Sequence, residues 1–239
     1  MSAAAESVLS ADCIGKRFGE RKVLSAATVH ADRGVVTALI GRNGSGKSTL
    51  LRIMAGLMAP DHGTMRFRGG VYTRTRLSRL ARQGLFLLPA DRSTLTRTLT
   101  LRQHLDALRR RFALPAGDAA LEELKITHLL DRTVGTYSGG EQRRAELALA
   151  MVRAPDCLLA DEPFLGITPA DTEVFITAFR ALARRGTAII VTGHEVPFIL
   201  SVADAVTWLH SGTTRPLGTP ESAARDWLFR REYLGIRAL

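Results

Sequence analysis

The sequence has only two cysteines among its 239 residues and no long hydrophobic run. Its longest apolar runs, such as residues 187–192 and 85–88, are far shorter than the roughly 20 residues that a membrane-spanning helix needs. The first ten residues do not resemble a signal peptide, because no basic stretch precedes an apolar core. Two cysteines alone cannot form a metal site, and Cys13 and Cys157 both lie in apolar, strand-like runs. We therefore expect a cytosolic protein with two buried free thiols.

Lysine is also scarce: only four residues are lysines, so arginine supplies almost all of the positive charge. The formal net charge is +10 at pH 7. Such an excess can attract nucleic acid or an anionic membrane surface. The arginines are scattered, however, with short clusters only at positions 109–111, 143–144 and 184–185. We therefore favour the interpretation that the arginines lie on solvent-exposed faces of the fold. The charge alone does not identify a partner.

The chain has no repeat, low-complexity segment or long linker, and its first third is typical of β-structure. Residues 8–14 and 22–29 are rich in β-forming side chains, and residues 63–69 alternate in polarity, so we expect an antiparallel edge layer. Residues 35–40 form a short apolar run, which is typical of a strand buried on both faces of a parallel sheet.

Beyond these strands the pattern is mainly helical up to about residue 150, and strands then alternate with helices. Between about residues 77 and 150, apolar spacings of three and four predict helices at 101–112 and 119–130. Strands at 157–160 and 188–192 alternate with helices at 169–184 and 195–202. This order favours an α/β fold with a mostly parallel sheet, in which residues 77–150 form a helical subdomain inserted into a single domain of residues 1–239.

A glycine-rich segment lies between the predicted strand at 35–40 and a predicted helix at 48–57, and it fits the pattern G-x-x-x-x-G-K-S/T. Its residues are Gly41, Arg42, Asn43, Gly44, Ser45, Gly46, Lys47 and Ser48, with Thr49 next. The glycines let backbone N–H groups point at phosphate oxygens, and the helix N-terminus adds its dipole. We expect Lys47 to bind the β- and γ-phosphates of ATP and Ser48 to ligate Mg²⁺. A tight turn without this function is disfavoured by the lysine, the serine and the flanking elements.

Two acids end the predicted strand at 157–160. A carboxylate at the carboxyl end of a parallel strand faces the crevice in which such folds bind ligands. We therefore expect Asp161 to hold Mg²⁺ opposite Ser48 and Glu162 to polarise an attacking water. By itself the Asp-Glu-Pro sequence is equally compatible with a surface turn, and the preceding glycine-rich loop favours the catalytic interpretation.

Residues 137–144 read Tyr-Ser-Gly-Gly-Glu-Gln-Arg-Arg, which resembles the LSGGQ signature of ATP-binding-cassette (ABC) ATPases. The resemblance covers the chain from about residue 8 to 235. It implies an ABC-type P-loop NTPase that binds ATP and Mg²⁺ and pairs with a second ABC subunit, identical or different. The signature of one subunit would then cover the ATP held by Lys47 of the other. Its contributing residues are Ser138, Gly139, Gly140 and Glu141.

The resemblance also assigns two further residues. Phe18 occupies the position of the aromatic on which adenine stacks, although a core phenylalanine is an alternative. His194, after the predicted strand at 188–192, matches the switch histidine that contacts the γ-phosphate and holds Glu162 and the water in line. A structural histidine is the alternative there.

Two positions depart from the family pattern. Ala90 stands where glutamine usually touches Mg²⁺ and the water, although Asp91 beside it is a partial substitute. Thr168 stands where an aspartate usually couples the two sites of the dimer. We expect slower or differently coupled hydrolysis.

Residues 163–169 and 229–235 loosely resemble the ATPases of lipopolysaccharide export and branched-chain amino-acid uptake. The expected function is therefore the ATPase subunit of an ABC transporter, cytoplasmic and peripheral on the inner face of the membrane, beneath a separate transmembrane permease. One alternative is a soluble cassette protein that acts on ribosomes or DNA, but such proteins usually carry two cassettes or a long coiled-coil insertion, and this sequence has neither. The other alternative is a regulatory ATP-binding module with slow turnover. Nucleic acid is not the expected partner.

Overall fold

The computed structural model describes residues 7–90 and 93–235, and it contains ten strands and nine α-helices in that part of the chain. The strands are β1 (Ser7–Phe18), β2 (Arg21–Asp32), β3 (Val36–Ile40), β4 (His62–Phe67), β5 (Gly70–Tyr72), β6 (Leu85–Leu88), β7 (Cys157–Ala160), β8 (Ala188–Gly193), β9 (Ala205–His210) and β10 (Thr213–Gly218). The helices are α1 (Lys47–Met54), α2 (Leu77–Arg82), α3 (Leu101–Phe112), α4 (Ala119–Glu123), α5 (Gly139–Arg153), α6 (Pro169–Arg184), α7 (Val196–Val202), α8 (Pro220–Arg225) and α9 (Trp227–Glu232).

All ten strands belong to one sheet, in the order β5-β4-β1-β2-β10-β9-β3-β8-β7-β6. The strands β9, β3, β8, β7 and β6 pair in parallel, whereas β1, β2, β4 and β5 form an antiparallel layer. Strand β10 joins the two parts, because it pairs antiparallel with β9 and, at Thr213 and Ala26, parallel with β2. The predicted parallel core and antiparallel edge layer are confirmed.

Two hydrophobic clusters cover the two faces of the sheet. Successive side chains of a strand point to opposite faces. Accordingly Ala38 and Ile40 of β3 pack in one cluster with α5 and α6, while Leu39 packs in the other with α1 and the β1–β2 layer. All five residues of β3 are buried, as the apolar run predicted, so the loop that follows β3 starts from a rigid strand.

Helices α3 to α5 lie between β6 and β7 in sequence, within the segment predicted as a helical insertion. Strand β6 also falls in that segment, but it pairs with β7 in the sheet. Division of the chain into one domain with an inserted subdomain stays a prediction. No helix within the described ranges 7–90 and 93–235 has the length and apolar composition required to span a bilayer.

The structure contradicts the predicted helix at 119–130. Helix α4 ends at Glu123, Lys125 adopts a left-handed backbone (φ 56°), and a short 3₁₀ turn follows at Thr127–Leu129. Leu121, Leu124 and Leu129 are nevertheless fully buried. Their spacing thus reflects packing of a bent segment against the core rather than one continuous helix.

The expectation of two buried thiols is wrong for one of them. Cys157 is buried in β7, but Cys13 is exposed. The pairing of β1 with β2 shifts register between Ala11 and Ile14, and Cys13 adopts φ 53° at this irregularity. An extra residue in a strand disturbs the alternation of its side chains, so Cys13 turns outward although its neighbours are apolar.

Candidate functional site

The glycine-rich loop leaves β3 and leads directly into α1. Gly44 and Gly46 have positive φ values of 77° and 107°, a backbone conformation that residues with a side chain rarely adopt. These two glycines therefore allow the tight curvature of the loop. The Lys47 side chain is buried, and its Nζ donates to the carbonyl oxygens of Gly41 at 2.7 Å and Arg42 at 3.3 Å. Burial lowers the pKa of Lys47, and the carboxylates of Glu162 and Asp161 oppose that effect. The ammonium group is therefore held at the base of the loop.

A cleft of about 510 Å³ opens in front of this loop. This is within the usual range for a small-molecule site. It is lined by Phe18, Arg21, Val23, Asn43, Gly44, Gly46, Lys47, Ser48, Thr49 and Glu162. Phe18 is 46% exposed at the end of β1, so it is not a core residue. Gly41, Arg42 and Ser45 belong to the loop but lie outside this lining. Sequence reasoning missed Arg21 and Val23, whose proximity to the loop arises only from the sheet.

A hydrogen-bond network joins the loop to the carboxyl ends of β7 and β8. Ser48 Oγ donates to Asp161 Oδ1 at 3.1 Å, and Thr192 Oγ1 donates to the same oxygen at 2.7 Å. The backbone N–H of Glu162 in turn donates to Thr192 Oγ1 at 3.0 Å. Thr192 is completely buried, and sequence reasoning missed it. Its only signal was a hydroxyl at the end of an otherwise apolar strand.

Glu162 and His194 lie next to each other beyond the sheet. His194 Nδ1 is 3.5 Å from Glu162 Oε2, and Glu162 lines the cleft together with Lys47. Glu162 has a left-handed backbone (φ 48°), a conformation that costs a non-glycine residue roughly 1–2 kcal/mol. The bond from its N–H to Thr192 holds this conformation. The two residues predicted to act on the attacking water are thus adjacent, with Glu162 in the lining of the cleft and His194 next to it outside that lining.

The predicted signature residues form the N-terminus of α5. Ser138 is the N-cap: its Oγ accepts from the Glu141 N–H at 3.2 Å, and the Glu141 carboxylate accepts from the Ser138 N–H at 2.7 Å. That backbone bond lowers the pKa of Glu141. Within the part of the chain that the structure describes, none of Ser138, Gly139, Gly140 and Glu141 lines the cleft. The structure therefore does not bring this segment to the loop of the same chain.

The two departures from the family pattern have local structural roles. Thr168 is the N-cap of α6 and accepts from the Asp171 N–H at 3.2 Å, a capping role that threonine and aspartate share. The Ala90 carbonyl accepts a hydrogen bond from Arg143 of α5. Asp91, the suggested substitute ligand, lies outside the described residues.

The C-terminal segment also touches the glycine-rich loop, which sequence reasoning did not foresee. Arg42 Nη2 donates to the Glu232 carbonyl at 2.5 Å, and Tyr233 Oη donates to the Gly41 carbonyl at 3.3 Å. Gly41 O therefore accepts from both Lys47 and Tyr233. No local pattern signals this contact, since 192 residues separate Gly41 from Tyr233.

A loop with a buried lysine between a parallel strand and a helix, facing acids at the ends of neighbouring strands, defines a P-loop ATPase. A family model described as ABC transporter matches residues 24–165. The chain is 36% identical to a probable ABC transporter ATP-binding protein of Azorhizobium caulinodans, over 98% of this chain and 85% of that protein. It is 30% identical to the lipopolysaccharide export system ATP-binding protein LptB of Haemophilus influenzae, over 96% and 98% of the two chains.

Solved structures agree with these relatives. A crystal structure of the ADP conformation of an ATP-binding cassette of an ABC transporter superposes with a TM-score of 0.82 at 25% identity, covering 96% of this chain and 98% of that one. The chain belongs to the ABC transporter family and is an ABC-type, nucleotide-binding ATPase.

Proposed function

We propose that this chain is the ATP-hydrolysing subunit of an ABC transporter, that it works as a dimer with composite ATP sites, and that it drives a separate membrane subunit. The observation that carries the proposal is the convergence of Lys47, the Ser48–Asp161 pair and the Glu162–His194 pair at one end of the parallel strands. Each pair supplies groups that phosphoryl transfer to water requires.

The phosphate chain of ATP would lie in the cleft against the loop backbone. Lys47 exchanges the carbonyls of Gly41 and Arg42 for phosphate oxygens, and adenine stacks on the exposed ring of Phe18. Mg²⁺ suits the donor set, because the Ser48 hydroxyl and the Asp161 carboxylate already meet at 3.1 Å and Mg²⁺ prefers oxygen ligands. When bound, the ion neutralises charge on the phosphate oxygens.

Glu162 is assigned as the group that accepts a proton from the attacking water. Glu162 lines the cleft, and His194 Nδ1 lies 3.5 Å from one of its carboxylate oxygens. Thr192 connects the two acids by bonding both the Asp161 side chain and the Glu162 backbone. Through Thr192, the metal-binding acid and the base would keep a fixed relative position.

The position of the signature segment supports the dimer. The signature helix α5 begins with a capped, exposed N-terminus, which is a ready anion-binding site. Because this end does not line the cleft of its own chain, the Ser138–Gly139–Gly140–Glu141 segment of a second subunit would cover the γ-phosphate. ATP binding then stabilises the closed dimer, and hydrolysis releases it.

A second groove is assigned to a cytoplasmic segment of the membrane subunit. It has a volume of about 480 Å³ and lies beside the loop that contains Ala90. Its apolar lining is Leu51, Leu57, Met58, Leu77, Leu87 and Pro89. Leu57 is 54% exposed, so its side chain is available to an apolar segment bound in the groove. The groove also touches Asp161, so an apolar segment seated in it would contact the catalytic edge. Such docking would place the protein on the inner face of the membrane.

Steady-state hydrolysis of MgATP tests the catalytic assignment. We expect the wild-type protein to turn over and Glu162→Gln to lose about 100-fold or more in kcat, because a general base contributes roughly 10²–10⁴. Lys47→Ala should lose nucleotide affinity. Glu162→Gln with MgATP should sediment as a dimer, and the wild type after hydrolysis as a monomer. Equal turnover in the wild type and Glu162→Gln, or a monomeric Glu162→Gln variant, would contradict the proposal.

Two alternatives predict different outcomes, one in a purification from membranes and one in the hydrolysis assay. Purification from detergent-solubilised membranes should recover a polytopic membrane protein, whereas recovered ribosomal RNA or DNA would favour a soluble cassette. Ala90 replaces the glutamine that usually contacts the metal, and Thr168 replaces the aspartate that usually couples the two sites. A wild-type rate no higher than that of Glu162→Gln, with tight ATP binding, would favour the slow regulatory module.

A further inference from the structure

Arg21 is placed by the β1–β2 hairpin next to the nucleotide cleft. It is the first residue of β2 and pairs directly with Phe18, the last residue of β1, across the two-residue turn of Gly19 and Glu20. Directly paired residues on antiparallel strands point to the same face of the sheet. The Arg21 side chain therefore leaves the hairpin on the same side as the Phe18 ring, and both line the cleft.

The guanidinium group extends towards the phosphate-binding loop. A Cβ atom placed on Gly44 would lie 3.8 Å from Arg21 Nη2, so the group is close to the middle of that loop. Asn43 and Gly44 line the cleft beside it. Backbone N–H groups in such a loop point at phosphate oxygens, so a guanidinium at this position is within reach of the same anion.

The guanidinium has no competing partner in the described part of the chain. No hydrogen bond, ion pair or ring contact joins it to another residue among positions 7–90 and 93–235, whereas nearby Lys16 is bound to Asp61 at 2.8 Å. An arginine always carries its charge and offers donors in a fork that matches phosphate geometry. A free guanidinium in a cleft for a polyanion is thus a ligand group rather than part of the scaffold.

We infer that Arg21 is an additional nucleotide-binding residue that contacts the phosphate chain and so favours ATP and ADP over nucleosides. The inference rests on the proposed function of the cleft. Phe18 would provide the adenine contact and Arg21 a cation at the open end of the cleft, complementing buried Lys47 at its base. The contribution of Arg21 should grow with the charge of the ligand and be absent for adenosine.

Binding of ATP, ADP and adenosine to the full chain, measured by isothermal titration calorimetry, tests this assignment. Arg21→Ala should raise the Kd for ATP and ADP by about ten- to a hundred-fold, because hydrogen bonds to charged groups are the strong ones. The Kd for adenosine should not change. Arg21→Lys should give an intermediate loss, because it keeps the charge but not the fork. In turnover, KM should rise while kcat at saturation is retained.

Lys22→Ala is the matched control, because Lys22 is the next residue of β2, is exposed, and points to the opposite face. It removes the same charge and should change the Kd for ATP by less than about two-fold. Arg21→Gln, which keeps most of the side-chain length, serves as a second variant if Arg21→Ala does not fold. Equal affinities for Arg21→Ala and Lys22→Ala would overturn the inference, as would an equal loss for adenosine and ATP.

The same titrations separate this inference from the proposed function. If the wild type binds ATP and Arg21→Ala binds it equally well, only the role of Arg21 is refuted. If the wild type does not bind ATP, or Lys47→Ala binds it as tightly as the wild type does, the proposed nucleotide site itself is refuted.

Discussion

Replacing Glu146 with alanine would remove a carboxylate that holds the loop after β6 against helix α5. Glu146 is only 2% exposed, and its two oxygens accept from the Thr94 N–H at 2.8 Å and from Arg143 Nη1 at 3.2 Å. Arg143 also donates to the carbonyls of Pro89 and Ala90. Glu146 and Arg143, both on the helix that carries the signature motif, therefore bind the loop beside the second groove.

The expected loss of stability follows from these contacts. Removing one partner of a buried ion pair costs about 3–5 kcal/mol, and an unsatisfied backbone N–H costs about 1–3 kcal/mol. The Arg143 side chain is 19% exposed and keeps two carbonyl acceptors, so its charge is not stranded. We expect a net loss of about 2–3 kcal/mol for Glu146→Ala. Glu146→Gln can still accept from Thr94 and should lose about 1 kcal/mol.

Thermal unfolding followed by circular dichroism measures this loss. For a chain of this length, about 2–3 kcal/mol corresponds to a decrease in Tm of roughly 4–12 °C. Glu173→Ala on the exposed face of α6 is the matched control, and it should stay within about 0.5 kcal/mol of the wild type. If Glu146→Ala were as stable as Glu173→Ala, the buried pair would contribute nothing and the reasoning would be refuted.

Three further outcomes are expected. In the native protein a thiol reagent should modify Cys13 quickly and Cys157 only after unfolding, because Cys157 is fully buried and burial raises its pKa; two fast thiols would contradict this. Gly63→Ala should lose about 2–4 kcal/mol in urea unfolding, since φ is 100° and a Cβ would lie 2.6 Å from the Cys13 carbonyl oxygen. Gly69→Ala, at φ 77° in open space, should lose only about 1 kcal/mol, and equal losses would disprove the clash. Tyr233→Phe should lose about 1 kcal/mol in thermal unfolding, because it removes one hydrogen bond while the Gly41 carbonyl still accepts from Lys47; a loss above about 2 kcal/mol would contradict this.

The amino-acid sequence by itself determined the elements whose information is local. The bounds of β7, α3 and α6 agree with prediction, because β7 is a short continuous apolar run and the two helices combine apolar residues at helical spacing with an N-cap threonine. The glycine-rich loop and the signature helix N-terminus are also contiguous motifs, so their conformations follow from neighbouring residues. The roles predicted for the site residues stay predictions, although the structure brings the loop, the two acids and His194 together.

Only the tertiary structure decided the rest. Strands β9 and β10 and helices α8 and α9 were not predicted, because their short segments acquire their conformation from pairing and packing. Cys13 lies outside the core because of a register shift between two strands, which no local pattern encodes. Thr192 meets Asp161, and Arg21 lies beside Gly44, because the sheet brings together residues that are far apart along the chain. A contact between distant residues depends on how the whole sheet is assembled, and the pattern around either residue does not contain that information.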